Sequence, residues 1–408
     1  MMESGQPPGV DYTFLHLTLQ EFFAALVHFI NYNPQRLKET LDEVNHCKDG
    51  RAEIFLRFLC GLSDSSTRSM LKSHVGELST QAARHVITWI QEKIAEQRSE
   101  KSRRGTRELL DVFYCLHETR NKALVSQCVG AIKHVDFSGI PFSPLDCSVL
   151  SFILQSCKET ELNLNLCNIQ SEGLRKLMPA LHIIKSLSLE RNHLTDSSCP
   201  HLASGIRNNQ TMRTLNVSDN YLEGPHFSDL MAALTTSWIE RLHLYANHLT
   251  HSSCPHLASG IRNNQKLRIL DLSKNNLEGP HFSDLMAALT TSQIEELHLV
   301  GNHLTDISCP DLASGIRNNQ TLRILNLYEN NLEGRKFSYL MEALTTSCIE
   351  ALDLRSNHLT DSSCPHLASG IRNNQTLRTL NLSWNNLEGP HFSDLMAALA
   401  TSCIKELK

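Results

Sequence analysis

Cys-Pro-His recurs at Cys199, Cys254 and Cys364, and Cys309 heads the same stretch with Asp311 in place of histidine. Cysteine near histidine is the pairing of thiolate nucleophiles and of zinc sites, so these copies are the first place to look for chemistry. The spacing argues against both. On a helix, Cys199 and His201 lie two residues apart and point to different faces, so they do not converge on one ion or one reacting atom. Asp311 interrupts the series, and no C-x-x-C pair occurs among the 13 cysteines. A Cys-His nucleophile also needs an oriented base and an oxyanion site, which cysteines on an apolar helical stripe do not supply. A phosphate-cradling G-x-x-x-x-G-K-[ST] loop is absent, because none of the 18 glycines precedes a lysine. The expectation is a non-enzymatic binding protein, with no catalytic, metal-binding or cofactor-binding residue in this chain.

Composition narrows the class. With 408 residues, 41% hydrophobic and 20% charged, the chain reads as soluble and folded, long enough for a small domain joined to a repeat array. The net charge of −5 is modest, and the densest basic run, "KSRR" at Lys101–Arg104, reads as a solvated loop, not a nucleic-acid patch. No apolar run of about 18 residues exists to span a bilayer. The opening "MMESGQPPGV" lacks the basic and apolar segments of a secretion signal. The N-x-S/T matches at Asn209, Asn216, Asn319, Asn374 and Asn381 therefore carry little weight. A cytoplasmic location with reduced thiols is expected.

The elements that hold these residues come from an internal repeat. "CPHLASGIRNNQ" from Cys199 returns every 55 residues, and each copy contains two half-units with L-x-L-x-x-N, Val217 replacing the second leucine once. The asparagines are Asn192, Asn220, Asn247, Asn275, Asn302, Asn330, Asn357 and Asn385, alternately 28 and 27 residues apart. Cys167 fills the slot one unit upstream, and "HVDFSGI" ending at Ile140 is a weaker first copy. This is the leucine-rich-repeat pattern, about ten units long. Leu187 and Leu189 face one way and Ser186, Ser188 and Glu190 the other, as on a strand. After a turn, Thr195 or Asp196 offers a helix cap, and Cys199, Leu202, Ala203 and Ile206 form one helical stripe. The second half-unit repeats this with Phe227, Leu230, Met231 and Leu234. Stacked units predict an α/β leucine-rich-repeat solenoid, a horseshoe, preceded by an all-α domain. In each unit the asparagine is expected to bond backbone groups of the bend and of the adjacent coil, an asparagine ladder.

The copies differ most at outward strand positions, which predicts a concave recognition face lined by Ser188, Glu190, Arg191, Asp219, Arg241, His243, Tyr245, Asp271, Lys274, His298, Val300, Tyr328, Glu329, Asp353, Arg355 and Trp384. Exposed positions are also free to drift, but Tyr245, Val300, Tyr328 and Trp384 are large apolar groups of the kind contacts use. The charges are mixed, which favours a protein or peptide partner over nucleic acid.

Ahead of the repeats, "YTFLHLTLQEFFAALVHFI" places Phe14, Leu17, Phe22, Ala25 and Phe29 in an apolar helix that Pro34 ends. Further helices are expected around residues 51–62, 80–96, 107–117 and 122–132. "FLHLTLQEFFAAL" resembles the F-x-H-L-x-x-Q-E-F-x-A-A motif that ends the winged-helix region of NACHT-type NOD-like receptors. "FLRFLCGL" is similar to an element of that family's second helical domain, and ribonuclease-inhibitor-type repeats follow in the same family. The resemblance implies three segments: 1–34, the end of the winged helix; 35–132, the second helical domain; and 133–408, the repeats, with the C-terminal cap missing. It implies the ligand-sensing and autoinhibitory portion of an innate immune receptor of the inflammasome type, a fragment whose longer parent would carry the ATP/ADP-binding NACHT module on which the repeats fold back. The family's nucleotide-contacting histidine lies upstream of the motif, so His16 is expected to be structural. The competing expectation is a stand-alone leucine-rich-repeat scaffold or inhibitor.

Overall fold

The protein is described by a computed structural model covering residues 16–47, 52–99, 107–317 and 319–408. It divides into two compact units, Met1–Gly130 and Ala131–Lys408. Phe14 and the Lys101–Arg104 run lie outside the described residues.

The first unit is helical: α1 (Leu17–Ile30), α2 (Pro34–His46), α3 (Glu53–Gly61), α4 (Ser65–Val75), α5 (Thr80–Ser99), α6 (Arg107–Glu118) and α7 (Lys122–Val129). Pro34 begins α2 rather than ending α1. The Asn33 side chain accepts hydrogen bonds from the Gln35 and Arg36 amides at 3.0 and 3.1 Å, and Pro34 sits at the first helical position, where its missing N–H costs nothing. Asp64 and Asn121 cap α4 and α7 in the same way, through the Thr67 and Leu124 amides. Helices α2 and α4 fall between the expected elements, and α4 buries none of its residues, so apolar periodicity had nothing to report there. On α1, Ala25 and Phe29 are buried and Phe22 meets the Phe58 ring edge-on at 5.3 Å, but Leu17 is exposed. His16 precedes the helix as an exposed residue, not a helical one.

The second unit is one parallel sheet whose eleven strands follow chain order: β1 (His134–Asp136), β2 (Thr160–Asn163), β3 (Ile184–Ser188), β4 (Thr214–Asn216), β5 (Arg241–His243), β6 (Ile269–Asp271), β7 (Glu296–His298), β8 (Ile324–Asn326), β9 (Ala351–Asp353), β10 (Thr379–Asn381) and β11 (Glu406–Leu407). Register aligns the first leucine of each L-x-L, so Leu187, Leu215 and Leu242 stack into one buried row. A helix follows each strand from β1 to β10. Strands lie about 4.8 Å apart but packed helices 8–10 Å, so a sheet with helices on one side must bend with the strands inside.

The near-constant helical stretch now has a physical reason beyond its apolar stripe. A Cβ added at Gly260 or Gly370 would come within 3.0 or 2.8 Å of the Met231 or Met341 carbonyl oxygen of the preceding helix. The helices pack backbone against backbone there, and both partners recur in every 55-residue copy. Thr195 and its equivalents open a short 3-10 turn that precedes each such helix; Thr250 and Thr305 cap theirs, accepting from the Ser252 and Ile307 amides at 3.2 and 3.3 Å. Burial pushes the thiols of Cys254 and Cys309 up to about 12, so both stay protonated, and Cys199 is raised for the same reason.

Two rows of buried asparagines tie the coils. In the first, the Asn275 amide donates to the Leu244, Leu272 and Ser273 carbonyls at 3.0, 2.8 and 3.2 Å. Its oxygen accepts from the Asn247 and Leu249 amides of the preceding unit, both at 3.0 Å. The second row, Asn209, Asn264, Asn319 and Asn374, was invisible to pattern reading. Each of these asparagines reaches back to a carbonyl at the end of the preceding helical segment; Asn319 donates to Leu289 at 2.7 Å and accepts from the Thr321 and Leu322 amides. Three of the glycosylation-pattern asparagines, Asn209, Asn319 and Asn374, thus spend their amides in the interior.

Candidate partner-binding face

On the three-residue strands the middle residue is buried against the helices and its neighbours stand on the open side: Arg241 is exposed, Leu242 buried, His243 half-buried. Cross-strand register then lays the variable residues out in three rows. The first row runs Ser188, Asn216, His243, Asp271, His298, Asn326, Asp353, Asn381. The second carries Glu190, Tyr245, Val300, Tyr328 and Arg355, two residues further on. The third carries Arg191, Asp219, Lys274, Glu329 and Trp384.

Much of the first row shapes its own strand. Asp271 and Asp353 each accept a hydrogen bond from the amide two residues on, at 3.0 Å, and Asn216, Asn326 and Asn381 do the same. These asparagines share the face with the expected residues. Ser188 bonds the Asn165 oxygen at 2.7 Å, and His298 lies 2.8 Å from Glu296. Burial alone would raise the Asp271 carboxyl, but hydrogen bonds from His243 and Ser273 outweigh it and hold the group below the usual carboxylate range.

Third-row residues adopt left-handed backbone, with φ of 56° at Arg191, 55° at Asp219, 56° at Lys274, 59° at Glu329 and 60° at Trp384. Outside glycine this costs roughly 1–2 kcal/mol. The next residue in each case is a ladder asparagine, whose bonds to the bend fix the conformation. The charges there are paired within the face: Arg191 with Asp219 at 2.5 Å, and Lys274 with Glu329 at 2.5 Å. The second bridge crosses Gly301, where a Cβ would fall 2.9 Å from the lysine chain.

The face also carries aromatic residues. Trp384 is 78% exposed, the most exposed of the large hydrophobic residues described. Its ring meets Tyr328 edge-on at 6.4 Å, and the Arg355 guanidinium lies 4.5 Å over the Tyr328 ring while bonding Asp353 at 2.8 Å. A cleft of about 300 Å³ beside them is lined by Asn326, Asp353, Arg355, Asn381 and Lys408, among others. Tyr245, 37% exposed, lies further along the second row.

The helical side also varies between copies. Around Cys309, Arg335, Lys336, Tyr339 and Glu342 replace the proline, histidine, aspartate and alanine of other copies, and Ile307 and Tyr339 are 64% and 50% exposed.

Comparison with known proteins fits both units. The family described as NLRC4 helical domain HD2 matches residues 16–127, and the leucine-rich-repeat family matches 160–178, 263–280 and 373–390. The NACHT, LRR and PYD domains-containing protein 3 of Bos taurus is 30% identical over 413 residues, covering 92% of this chain. The chain is a relative of the NOD-like receptors. The Homo sapiens protein of the same description is 29% identical, and the Homo sapiens NACHT, LRR and PYD domains-containing protein 12 is 28% identical, each covering 92% of the chain. The chain spans about two fifths of these relatives, 39% of the first two and 36% of the third. Its matches are to the helical and repeat parts of this NOD-like receptor family. Among the described residues no helix is long and apolar enough to cross a membrane.

Proposed function

We propose that this chain is the ligand-sensing and autoinhibitory portion of a cytosolic NOD-like innate immune receptor, binding a protein or peptide on the strand face of its repeats. Nucleotide chemistry would belong to a NACHT module in a longer parent, which the repeats would contact in the resting state. The observation that carries this reading is the Tyr328–Arg355–Trp384 cluster. Surrounding charges are neutralised by one another, while an exposed tryptophan meets a half-buried, arginine-stacked tyrosine at the sheet, the residue types that dominate binding energy at protein interfaces.

The test is selection of phage-displayed random peptides on the full chain. Peptides enriched on the wild type should bind Y245A/Y328A/W384A at least tenfold more weakly, with the melting temperature unchanged. Undiminished binding by the triple variant would remove the strand face from the reading.

A further inference from the structure

Trp238 lies in the loop entering β5, where the other copies carry Gln293, Cys348 and Cys403. It is 43% exposed and flanked by two cations: the Arg213 guanidinium 5.3 Å and the Lys266 ammonium 4.7 Å from its ring. Lys266 is itself a departure, since Thr211, Thr321 and Thr376 fill its slot elsewhere. The threonines at 321 and 376 fasten their loops to the preceding unit: Thr321 Oγ1 lies 3.1 and 3.0 Å from the Ser292 and Ile294 carbonyls, and Thr376 repeats the contact. Lys266 gives that fastening up. Two residues from successive loops, each differing from the other copies and one of them forgoing framework hydrogen bonds, thus meet in space as a tryptophan–cation stack.

The chemistry of the stack is one-sided. Among the described residues the indole N–H has no acceptor and the Lys266 ammonium has no carboxylate partner, while Arg213 shares Glu240 at 3.4 Å. The site offers donors and an apolar ring, and lacks a free acceptor, which suits a carboxylate carried on a peptide. The neighbouring rim cleft of about 250 Å³ is lined by Glu240, Glu295 and Glu296 together with Arg241, Arg268 and Arg323, a balance of charge and not the continuous basic stripe that a string of phosphates needs.

We propose that Arg213, Trp238 and Lys266 form a docking site for an acidic segment of a partner protein, on the rim where the chain enters the strands. The site is separate from the strand-face reading and does not depend on it. The indole packs on the peptide, and its N–H and the Lys266 ammonium take one aspartate or glutamate carboxylate.

The probes are a peptide alternating glutamate with leucine, its glutamine counterpart, and an oligothymidylate of equal charge. Each carries a fluorescent label and is titrated against the full chain, with the anisotropy of the label as the readout. The acidic peptide should raise the anisotropy saturably and lose affinity as salt rises. W238Q/K266T, which installs residues that other copies carry, should weaken that binding at least tenfold with an unchanged or higher melting temperature. Y328A/W384A should bind it like the wild type. Equal binding of the glutamine peptide, tighter binding of the oligonucleotide, retention of binding by W238Q/K266T or its loss in Y328A/W384A would each overturn the proposal.

Discussion

Asn247 and Asn275 occupy the same slot of the same motif, yet they do unequal work. Asn275 makes three donor contacts and accepts from two amides, whereas Asn247 donates to the Val217 and Tyr245 carbonyls and leaves its buried oxygen without a partner. Asn302 and Asn357 share that orphaned oxygen. The alternation follows from the half-units: every second-half oxygen accepts from amides of the unit before it, and from Asn247 onward the first-half oxygens do not, although their amides still reach back to the Val217, Leu272 and Leu327 carbonyls. Asn275→Ala should destabilise by ~1–3 kcal/mol, and Asn247→Ala by clearly less, because it also removes a buried unpaired acceptor. Urea midpoints of the two variants decide it; equal or inverted losses would mean the ladder is not carried by the oxygen contacts.

At the scale of elements, consecutive coils are laced by carboxylates that the motif does not advertise. Glu223, Glu278 and Glu333 each accept from the threonine hydroxyl opening the next coil, Thr250, Thr305 and Thr360, at 2.8, 2.8 and 2.7 Å, and also from Ser253, Ser308 and Ser363. Burial pushes the Glu333 carboxyl up, but the Ser363, Ser362 and Thr360 bonds outweigh it and leave the group below its ordinary 4.5. A depressed folded-state value means that the stabilisation is present above the unfolded value and is lost as pH falls through the folded one. Thermal melts from pH 6 downward should therefore show wild-type stability falling from about 4.5, and Glu333→Gln, lower at the start, should fall less. Parallel curves would show that the carboxylate contributes nothing through its ionisation.

Across the whole molecule, the repeats are stabilised by nearest neighbours, so a residue's worth depends on where in the array it sits. Phe282 and Phe392 are equivalent in sequence, but Phe282 is 1% exposed between coils and Phe392 is 38% exposed; Met286 and Met396 differ likewise, at 1% and 47%. Phe282→Ala should cost ~3–5 kcal/mol and Phe392→Ala less than half of that, read as melting-temperature losses in the full chain. A matched loss at both sites would contradict the layered account.

Legibility followed the same gradient. The β-strands, repeat helices and apolar stripes were readable because burial writes a period of two or of 3.6 into the sequence. The row at Asn209 was not, since one polar letter in a loop carries no period, nor was α4, which has no buried face to announce it. On the candidate face, register placed Tyr328, Arg355 and Trp384 side by side from residues up to 56 positions apart, and it paired Lys274 with Glu329 across Gly301.

The amino-acid order by itself determined that this is a repeat protein, which side chains are core, and which strand positions are open. Those depend on local periodicity and on the chain's need to bury apolar faces. Only the tertiary structure decided which open residues are spent on one another and which are not. That depends on distances between neighbouring coils, which no single unit of sequence contains.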